Sequence, residues 1–213
     1  MLFNRRCPIA QDSARFRLLP AGSNRRFALN TFEMKALVII DVQNEFSPTG
    51  KRPVPQFTKY LGNIHSRVSV ARQKEIPIAW VKHYNLPHES AAFIPGEWGS
   101  EFAGEMGPLA GSEKEVLFEK NVYGAFTGSA IGSWLQSIGA DSILIMGFYT
   151  HGCVSTTARE AIMAGLNVYL DPETTGTCAI HNDLLGEISA DDSKRAALLQ
   201  LYNMGAKILT TDL

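Results

Sequence analysis

Short apolar runs recur along the chain from residue 35 onward. Most of them are continuous rather than alternating, which is typical of strands that are covered on both faces. The run KALVIID, at residues 35–41, is the clearest example and ends in an acid. The pattern predicts strands at residues 35–41, 76–83, 115–120, 141–148, 166–171 and 206–210.

Stretches with apolar residues at helical spacing separate these runs. They predict helices at residues 56–74, 129–139, 152–164 and 183–204. Strands that alternate with helices indicate a parallel sheet with helices on both faces, which is the α/β class. Residues 84–113 show little periodicity and are rich in Gly, Pro, Glu and aromatics. Loops of that length in compact domains are commonly functional, so this segment is a candidate lid or a wall from a neighbouring subunit.

Charge and composition narrow the classes of partner. The 213 residues carry 20 Lys and Arg against 21 Asp and Glu, so we expect no nucleic-acid partner and no anionic membrane partner. No apolar run reaches the roughly 18 residues of a membrane span. Three cysteines without CxxC spacing, Cys7, Cys153 and Cys178, argue against a disulfide framework or a zinc site and favour a reducing, cytoplasmic location. The expected partners are a small-molecule substrate and a second copy of the chain.

Residues 1–33 differ in composition from the rest of the chain. They lack an apolar period and are rich in arginine, with Arg5, Arg6, Arg15, Arg17, Arg25 and Arg26. We interpret them as an N-terminal extension that is a flexible or targeting segment, or that reflects a true start at Met34. The domain is therefore expected to span residues 34–213.

Three chemically capable side chains follow predicted strands. Asp41 and Lys120 end two of the strands, and Cys153 lies shortly after the strand at 141–148. In a parallel sheet, ligands bind beyond the carboxyl ends of the strands, so these three groups should project at one edge. Each type alone is common in surface loops, caps or cores, but packing does not require an acid, an amine and a thiol together.

The three side-chain types suit nucleophilic catalysis. A free thiol has a pKa near 8.5, so a nucleophilic cysteine needs activation. We expect a helix N-terminus and the Lys120 ammonium to favour the thiolate, and the Asp41 carboxylate to move the proton. Backbone N–H groups around residues 149–153 could then hold a developing oxyanion.

Three segments resemble the signature segments of one enzyme family. ALVIIDVQNEF, FEKNVYGAF and GFYTHGCVSTTAREA are similar, in order and spacing, to those of the isochorismatase-like cysteine hydrolases. The resemblance covers about residues 34–213. It implies a Rossmann-like three-layer sandwich with a six-stranded parallel sheet of order 3-2-1-4-5-6.

The resemblance also implies roles for the site residues. Asp41 would be the general base, Lys120 the activating cation and Cys153 the nucleophile. A cis peptide not involving proline would precede the catalytic helix in the region from Phe148 to Thr150, and the Tyr149–Thr150 bond is the one expected. The N–H groups of Tyr149 or Thr150 and of Cys153 would then face the oxyanion.

The implied reaction is hydrolysis of a C–N bond in a small amide, carbamoyl or ureido compound through a thioester. No organic cofactor is expected. No metal is expected either, because metal-dependent relatives carry an Asp-x-His pattern in this region, whereas Lys82 precedes His83 in this chain. One alternative is vinyl ether hydrolysis with Asp41 as the acid. Another is a catalytically silent scaffold or binding protein.

Aromatic residues near the strand ends are the candidates for substrate contacts. We predict that Phe46, Tyr84, Tyr123 and Tyr149 bind substrate, since small-molecule pockets are mostly apolar with a few polar groups. The resemblance further suggests a homo-oligomer, either a dimer or a tetramer.

Overall fold

The computed structural model describes residues 34–209, and the expectations for residues 1–33 lie outside this part of the chain. Eight strands are present in it: β1 (Ala36–Ile40), β2 (Ile78–His83), β3 (Glu115–Lys120), β4 (Ser142–Phe148), β5 (Asn167–Gly176), β6 (Ile180–Asn182), β7 (Gly186–Ile188) and β8 (Lys207–Ile208). Five α-helices accompany them: α1 (Phe57–Gln73), α2 (Ala125–Gly128), α3 (Ile131–Ser137), α4 (Ser155–Met163) and α5 (Ala190–Asn203).

Six of the strands form one sheet in the order β3-β2-β1-β4-β5-β8. All neighbouring pairs in this sheet are parallel. The predicted order is therefore confirmed, with β8 as the sixth strand of the sheet. The remaining strands, β6 and β7, pair antiparallel in a separate hairpin.

The central strand β1 contributes side chains to both hydrophobic cores. Its five residues are fully buried, and they point alternately to opposite faces. Val38 and Ile40 belong to one apolar cluster, whereas Leu37 and Ile39 belong to the other. A strand with two buried faces needs a continuous apolar run, which is the pattern of ALVII.

Helices cover both faces of the sheet. The buried residues of α1, including Ile64 and Val68, pack into the cluster that contains Leu37. Helices α3, α4 and α5 cover the opposite face through residues such as Leu135, Ala158 and Leu201. This three-layer arrangement is the predicted one. None of the helices between residues 34 and 209 is both long and apolar enough to cross a membrane.

The last helix is shorter than predicted because a hairpin and a cap precede it. The predicted helix at 183–204 begins instead at Ala190, where the Ser189 hydroxyl accepts a hydrogen bond from the Asp192 N–H at 3.1 Å. A serine in this position satisfies one of the open N–H groups of the first turn. Residues 180–188 form the β6–β7 hairpin, whose turn exposes Leu184 and Leu185.

The predicted helix at 152–164 also begins later, at Ser155. A wide π-type turn at Thr150–Val154 precedes it, and Gly152 leaves helical geometry there at φ −103° and ψ −109°. The predicted strand at 166–171 continues to Gly176, after an irregularity in its pairing with β4 between Ile145 and Gly147.

Gly147 of β4 pairs with Ile40 of β1. Its φ of +119° is unfavourable for any residue with a side chain. A Cβ atom there would lie 1.9 Å from the carbonyl oxygen of Ile40, which is backbone and cannot swing away. Only glycine therefore fits at this position, directly before the segment that carries the predicted nucleophile.

We expect Gly147→Ala to lower the free energy of unfolding by at least about 3 kcal/mol, because backbone strain and overpacking add. Gly165→Ala is the matched control: Gly165 also has positive φ, at +86°, but a Cβ would meet nothing within 4 Å. It should cost only about 1 to 2 kcal/mol. Urea denaturation measures both, and equal losses would contradict this account of Gly147.

Candidate active site

The structure brings the three predicted catalytic side chains together at the carboxyl edge of the sheet. Asp41 follows β1, Lys120 is the last residue of β3, and Cys153 lies in the turn after β4. Asp41 adopts a left-handed backbone conformation with φ 52°. The chain leaves the sheet at this point, while the Asp41 N–H still bonds the Val81 carbonyl of β2 at 2.9 Å.

Asp41 and Lys120 form a buried ion pair. The Lys120 Nζ lies 2.8 Å from Asp41 Oδ2, and both side chains are fully shielded from solvent. Asp41 Oδ1 is also buried but accepts no hydrogen bond within the described part of the chain. Burial alone would lower the pKa of Lys120, but the negative charge of Asp41 and the hydrogen bond to its carboxylate act in the opposite direction, and this pKa is raised. The lysine is therefore a permanent cation, and one carboxylate oxygen stays open.

His83 contacts the ion pair from β2, the strand between β1 and β3. Its Nδ1 lies 3.4 Å from Lys120 Nζ, and its Nε2 lies 3.0 Å from Asn85 Oδ1. Lysine can only donate, so Nδ1 is the acceptor and Nε2 carries the proton that it donates to Asn85. Burial and the charge of Lys120 lower the pKa of His83. The ring is therefore neutral and orients the lysine.

Cys153 is buried beside these groups. Its Sγ, a carboxylate oxygen of Asp41 and a ring nitrogen of His83 all lie within 4.8 Å of one another. Burial raises the pKa of the Cys153 thiol well above its ordinary value, the charge of Asp41 raises it further, and Lys120 only partly opposes this. Cys153 is therefore a neutral thiol and not the thiolate expected from the sequence. Desolvation and the Asp41 carboxylate raise its pKa by more than the Lys120 ammonium lowers it. Attack by this sulfur requires a base.

Asp41, His83 and Cys153 are all side chains that can ligate a metal ion. The Lys120 ammonium, however, already lies 2.8 Å from Asp41 and 3.4 Å from His83. A divalent cation at the same point would meet this positive charge at close range. The donor set therefore does not fit a metal centre. His88, the next histidine along the chain, is exposed.

The segment between β4 and α4 is held by hydroxyl contacts. Thr175 Oγ1 donates its proton to the Gly147 carbonyl at 2.8 Å. The hydroxyl oxygens of Thr150 and Thr175 are also 2.8 Å apart, and because the Thr175 proton is already used, Thr150 is the donor of this pair. The cis peptide lies at Phe148–Tyr149, which is within the predicted region from Phe148 to Thr150 but one bond before the predicted Tyr149–Thr150. No side chain caps the turn at 150–154.

His151 does not take part in the thiol cluster. Its Nδ1 is hydrogen-bonded to Thr177 Oγ1, and its ring stacks on Tyr149 with 5.3 Å between centroids. Burial lowers the pKa of His151. We conclude that this histidine supports the wall of the site rather than pairing with Cys153.

A cavity of about 300 Å³ opens onto Asp41 and Cys153. Three of the four aromatics predicted to bind substrate line it: Phe46, Tyr123 and Tyr149. The fourth, Tyr84, does not line it, and its neighbours His83 and Asn85 take that place. The remaining lining residues are Arg52, Ser90, Phe93, Asn121 and Val122.

Glu45 joins the two loops that form the cavity wall. Its carboxylate accepts from the Lys51 N–H at 2.7 Å and from the Phe93 N–H at 3.2 Å. The carboxylate is buried, and a Cβ on Gly99 would lie 2.3 Å from it. The candidate lid at 84–113 therefore packs on its own domain and contributes to its own cavity.

Gln43 ties the same region to β2. Its side-chain amide donates to the carbonyls of His83 and Ser100 at 2.9 and 2.8 Å, and its oxygen accepts from the His83 N–H at 2.8 Å. Gln43 thus uses its hydrogen bonds internally and positions the backbone of His83.

Sequence reasoning identified some of these residues and missed others. His83 ends β2 and pairs in register with Lys120, so the strand-end argument that selected Lys120 also applies to it. Arg52, Ser90 and Phe93 lie on irregular loops, where no strand or helix period indicates which side chains face a cavity.

Comparison with known proteins identifies the family. The isochorismatase domain matches residues 35–212. Nicotinamidase 3 of Arabidopsis thaliana is 29% identical over 157 residues, 68% of this chain and 74% of that protein. N-carbamoylsarcosine amidase of an Arthrobacter species is 26% identical over 155 residues, 66% of this chain and 59% of that protein.

A solved structure agrees in fold. The crystal structure of a putative isochorismatase from Burkholderia xenovorans has a TM-score of 0.75 and 29% sequence identity, and the match covers 84% of this chain and 85% of that one. The family match spans the whole sheet and all three predicted catalytic residues. On this evidence the chain belongs to the isochorismatase family of hydrolases.

Proposed function

We propose that this protein hydrolyses a C–N bond of a small amide, carbamoyl or ureido compound through a thioester on Cys153. The observation that carries the proposal is the Asp41 carboxylate, which has one buried oxygen without a hydrogen bond among the described residues and lies within 4.8 Å of a neutral thiol. A buried carboxylate oxygen without a hydrogen bond is costly, so its place next to an S–H group favours a proton acceptor. Two relatives are named as amidases, which supports the same reaction class.

The first half-reaction forms the thioester. The Cys153 sulfur attacks the substrate carbonyl while its proton passes to Asp41 Oδ1. The resulting oxyanion accepts hydrogen bonds from the backbone N–H groups of Thr150 and Cys153, in a turn that has no side-chain cap, whereas the Gly152 N–H donates to the Tyr149 carbonyl at 3.1 Å. The C–N bond then breaks, and the departing amine takes the proton from Asp41.

The second half-reaction uses water. Asp41 accepts a proton from water as its oxygen attacks the thioester carbonyl, and the C–S bond breaks to release the acid. The proton then returns to the Cys153 sulfur. Throughout, Lys120 stays bonded to Oδ2 and keeps Oδ1 directed at the reacting atoms. The mechanism uses only water and groups of the chain.

Cys153→Ala should reduce ammonia release at least about a thousandfold, because the covalent route is lost. The measurement is ammonia release from a panel of small amides, carbamoyl compounds and ureides under reducing conditions. Cys178→Ser is the control, since this half-buried cysteine does not line the cavity and a hydroxyl can keep its hydrogen bond with the Tyr149 phenol, and it should retain activity.

Other outcomes of this experiment favour the alternatives. Equal substrate consumption by the wild type and Cys153→Ala would point to acid catalysis by Asp41, as in vinyl ether hydrolysis. Failure of every compound, together with a Cys153 that electrophiles do not modify, would favour a catalytically silent binding protein.

Asp41→Asn should separate thiol reactivity from turnover. The negative charge of Asp41 raises the thiol pKa, so its removal should shift the pH profile of Cys153 alkylation to lower pH and speed labelling by iodoacetamide at pH 8. Ammonia release should nevertheless fall about a hundredfold or more, because the base is lost. In the wild type, alkylation should still be rising with pH at pH 9.

The exposed Asp183 offers a charge-matched control. Asp183→Asn should leave both rates unchanged, and circular dichroism checks that each variant is folded. A parallel fall of labelling and turnover in Asp41→Asn would show that Asp41 promotes the thiolate instead of accepting its proton.

A further inference from the structure

Arg52 lines the same cavity as Cys153 but has no part in the mechanism above. It is an exposed residue in the loop between β1 and α1. Among the described residues, its guanidinium makes no hydrogen bond and no ion pair. A guanidinium carries five donors in a planar fork that matches a carboxylate. The N–H donors of the Arg52 guanidinium are therefore available to a ligand in the cavity.

The backbone of Arg52 is held by hydrogen bonds even though its side chain has no partner between residues 34 and 209. Its N–H donates to the Glu45 carbonyl at 2.9 Å, and its carbonyl accepts from the Tyr149 hydroxyl at 2.8 Å. Tyr149 packs edge-on against Phe46, with ring centroids 4.7 Å apart. The base of the arginine is therefore anchored to the aromatic wall of the cavity, which limits the region its head can reach.

The charge of Arg52 also acts on Tyr149 in that wall. Burial raises the pKa of the Tyr149 phenol, Cys178 adds to this, and the positive charge of Arg52 opposes it. Asp41 is the only acidic residue that lines the cavity within the described chain, and its charge is already balanced by Lys120. The cavity therefore has an uncompensated positive charge on its Arg52 side.

We infer that Arg52 binds an anionic group at the far end of the substrate, so that the preferred substrates are amides or carbamoyl compounds bearing a carboxylate. This inference rests on the proposed function and names its substrate class. The reactive carbonyl would lie at Cys153, and a short carbon body would contact Phe46, Phe93 and Tyr149. Asn121, which also lines the cavity, could hydrogen-bond the amide end.

The first test compares substrates that differ only in charge. Succinamic acid and N-carbamoylglycine are paired with their uncharged methyl esters, and ammonia release gives kcat/KM for each. We expect the wild type to prefer the acids. Arg52→Gln should reduce the acid-to-ester ratio about tenfold, mainly through KM, because a hydrogen bond to a charged group is lost. Arg52→Lys should restore part of the ratio.

A matched control and a salt series accompany this test. Arg195→Gln removes the same charge from an exposed arginine on α5 that does not line this cavity, and it should leave the ratio unchanged. Raising the ionic strength should reduce the preference for the acids in the wild type, since mobile ions screen exposed charges. An acid-to-ester ratio that Arg52→Gln does not alter would overturn the inference.

A second measurement does not depend on knowing the substrate. Iodoacetamides that carry a short carboxylate tail are compared with their methyl esters as alkylating agents of Cys153. The Cys153 sulfur forms a bond to carbon as iodide leaves, and mass spectrometry follows the modified peptide. The acid-to-ester ratio of rates should fall several-fold in Arg52→Gln and recover in Arg52→Lys.

These readouts distinguish the two hypotheses. Ammonia release that requires Cys153 but shows no dependence on Arg52 would leave the proposed function standing and refute the anion site. Release that persists in Cys153→Ala would refute the thioester route. In that case, or if no panel compound is hydrolysed, the labelling ratio still decides whether Arg52 attracts anions into the cavity.

Discussion

The buried ion pair between Asp41 and Lys120 is the interaction on which the site depends. Removing two charges from water costs several kcal/mol for each, and the pair recovers this only while both partners are present. Lys120 belongs to β3 and Asp41 follows β1, so the pair connects two strands that are not neighbours. His83, at the end of the strand between them, contacts the ammonium group of Lys120. The strand order is therefore a condition for the chemistry.

A second buried carboxylate organises the part of the cavity that is not catalytic. Glu45 holds the loop of Lys51 and the segment of Phe93 by their backbone N–H groups, so these contacts do not depend on which side chains the loops carry. The backbone of these loops can therefore keep its conformation when the side chains at positions such as Arg52, Ser90 and Phe93 are replaced. The site thus has an edge of candidate catalytic groups from strand ends and a wall from loops, where the proposed substrate preference can be encoded.

The two parts were not equally predictable from sequence. The parallel α/β sheet and the meeting of Asp41, Lys120 and Cys153 follow from apolar runs and from the rule for strand ends in parallel sheets, whereas the order of the strands was implied by the family resemblance. The start of α5 was misplaced because Leu184 and Leu185 look like helix core, whereas they lie in the exposed turn of a hairpin. The state of the thiol was misjudged because desolvation is a property of the packed protein. Arg52 could not be selected because loop side chains have no period.

The neutral state of Cys153 has a consequence for chemical durability. Peroxides attack thiolates, and susceptibility to oxidation follows thiolate character and exposure. A cysteine that is buried and protonated at rest gives an oxidant little to react with, unlike nucleophiles that are kept permanently ionised. In the proposed mechanism the proton leaves only as a carbonyl is attacked, so the sulfur becomes reactive when its substrate is present. The same burial that makes a base necessary thus protects the nucleophile between turnovers.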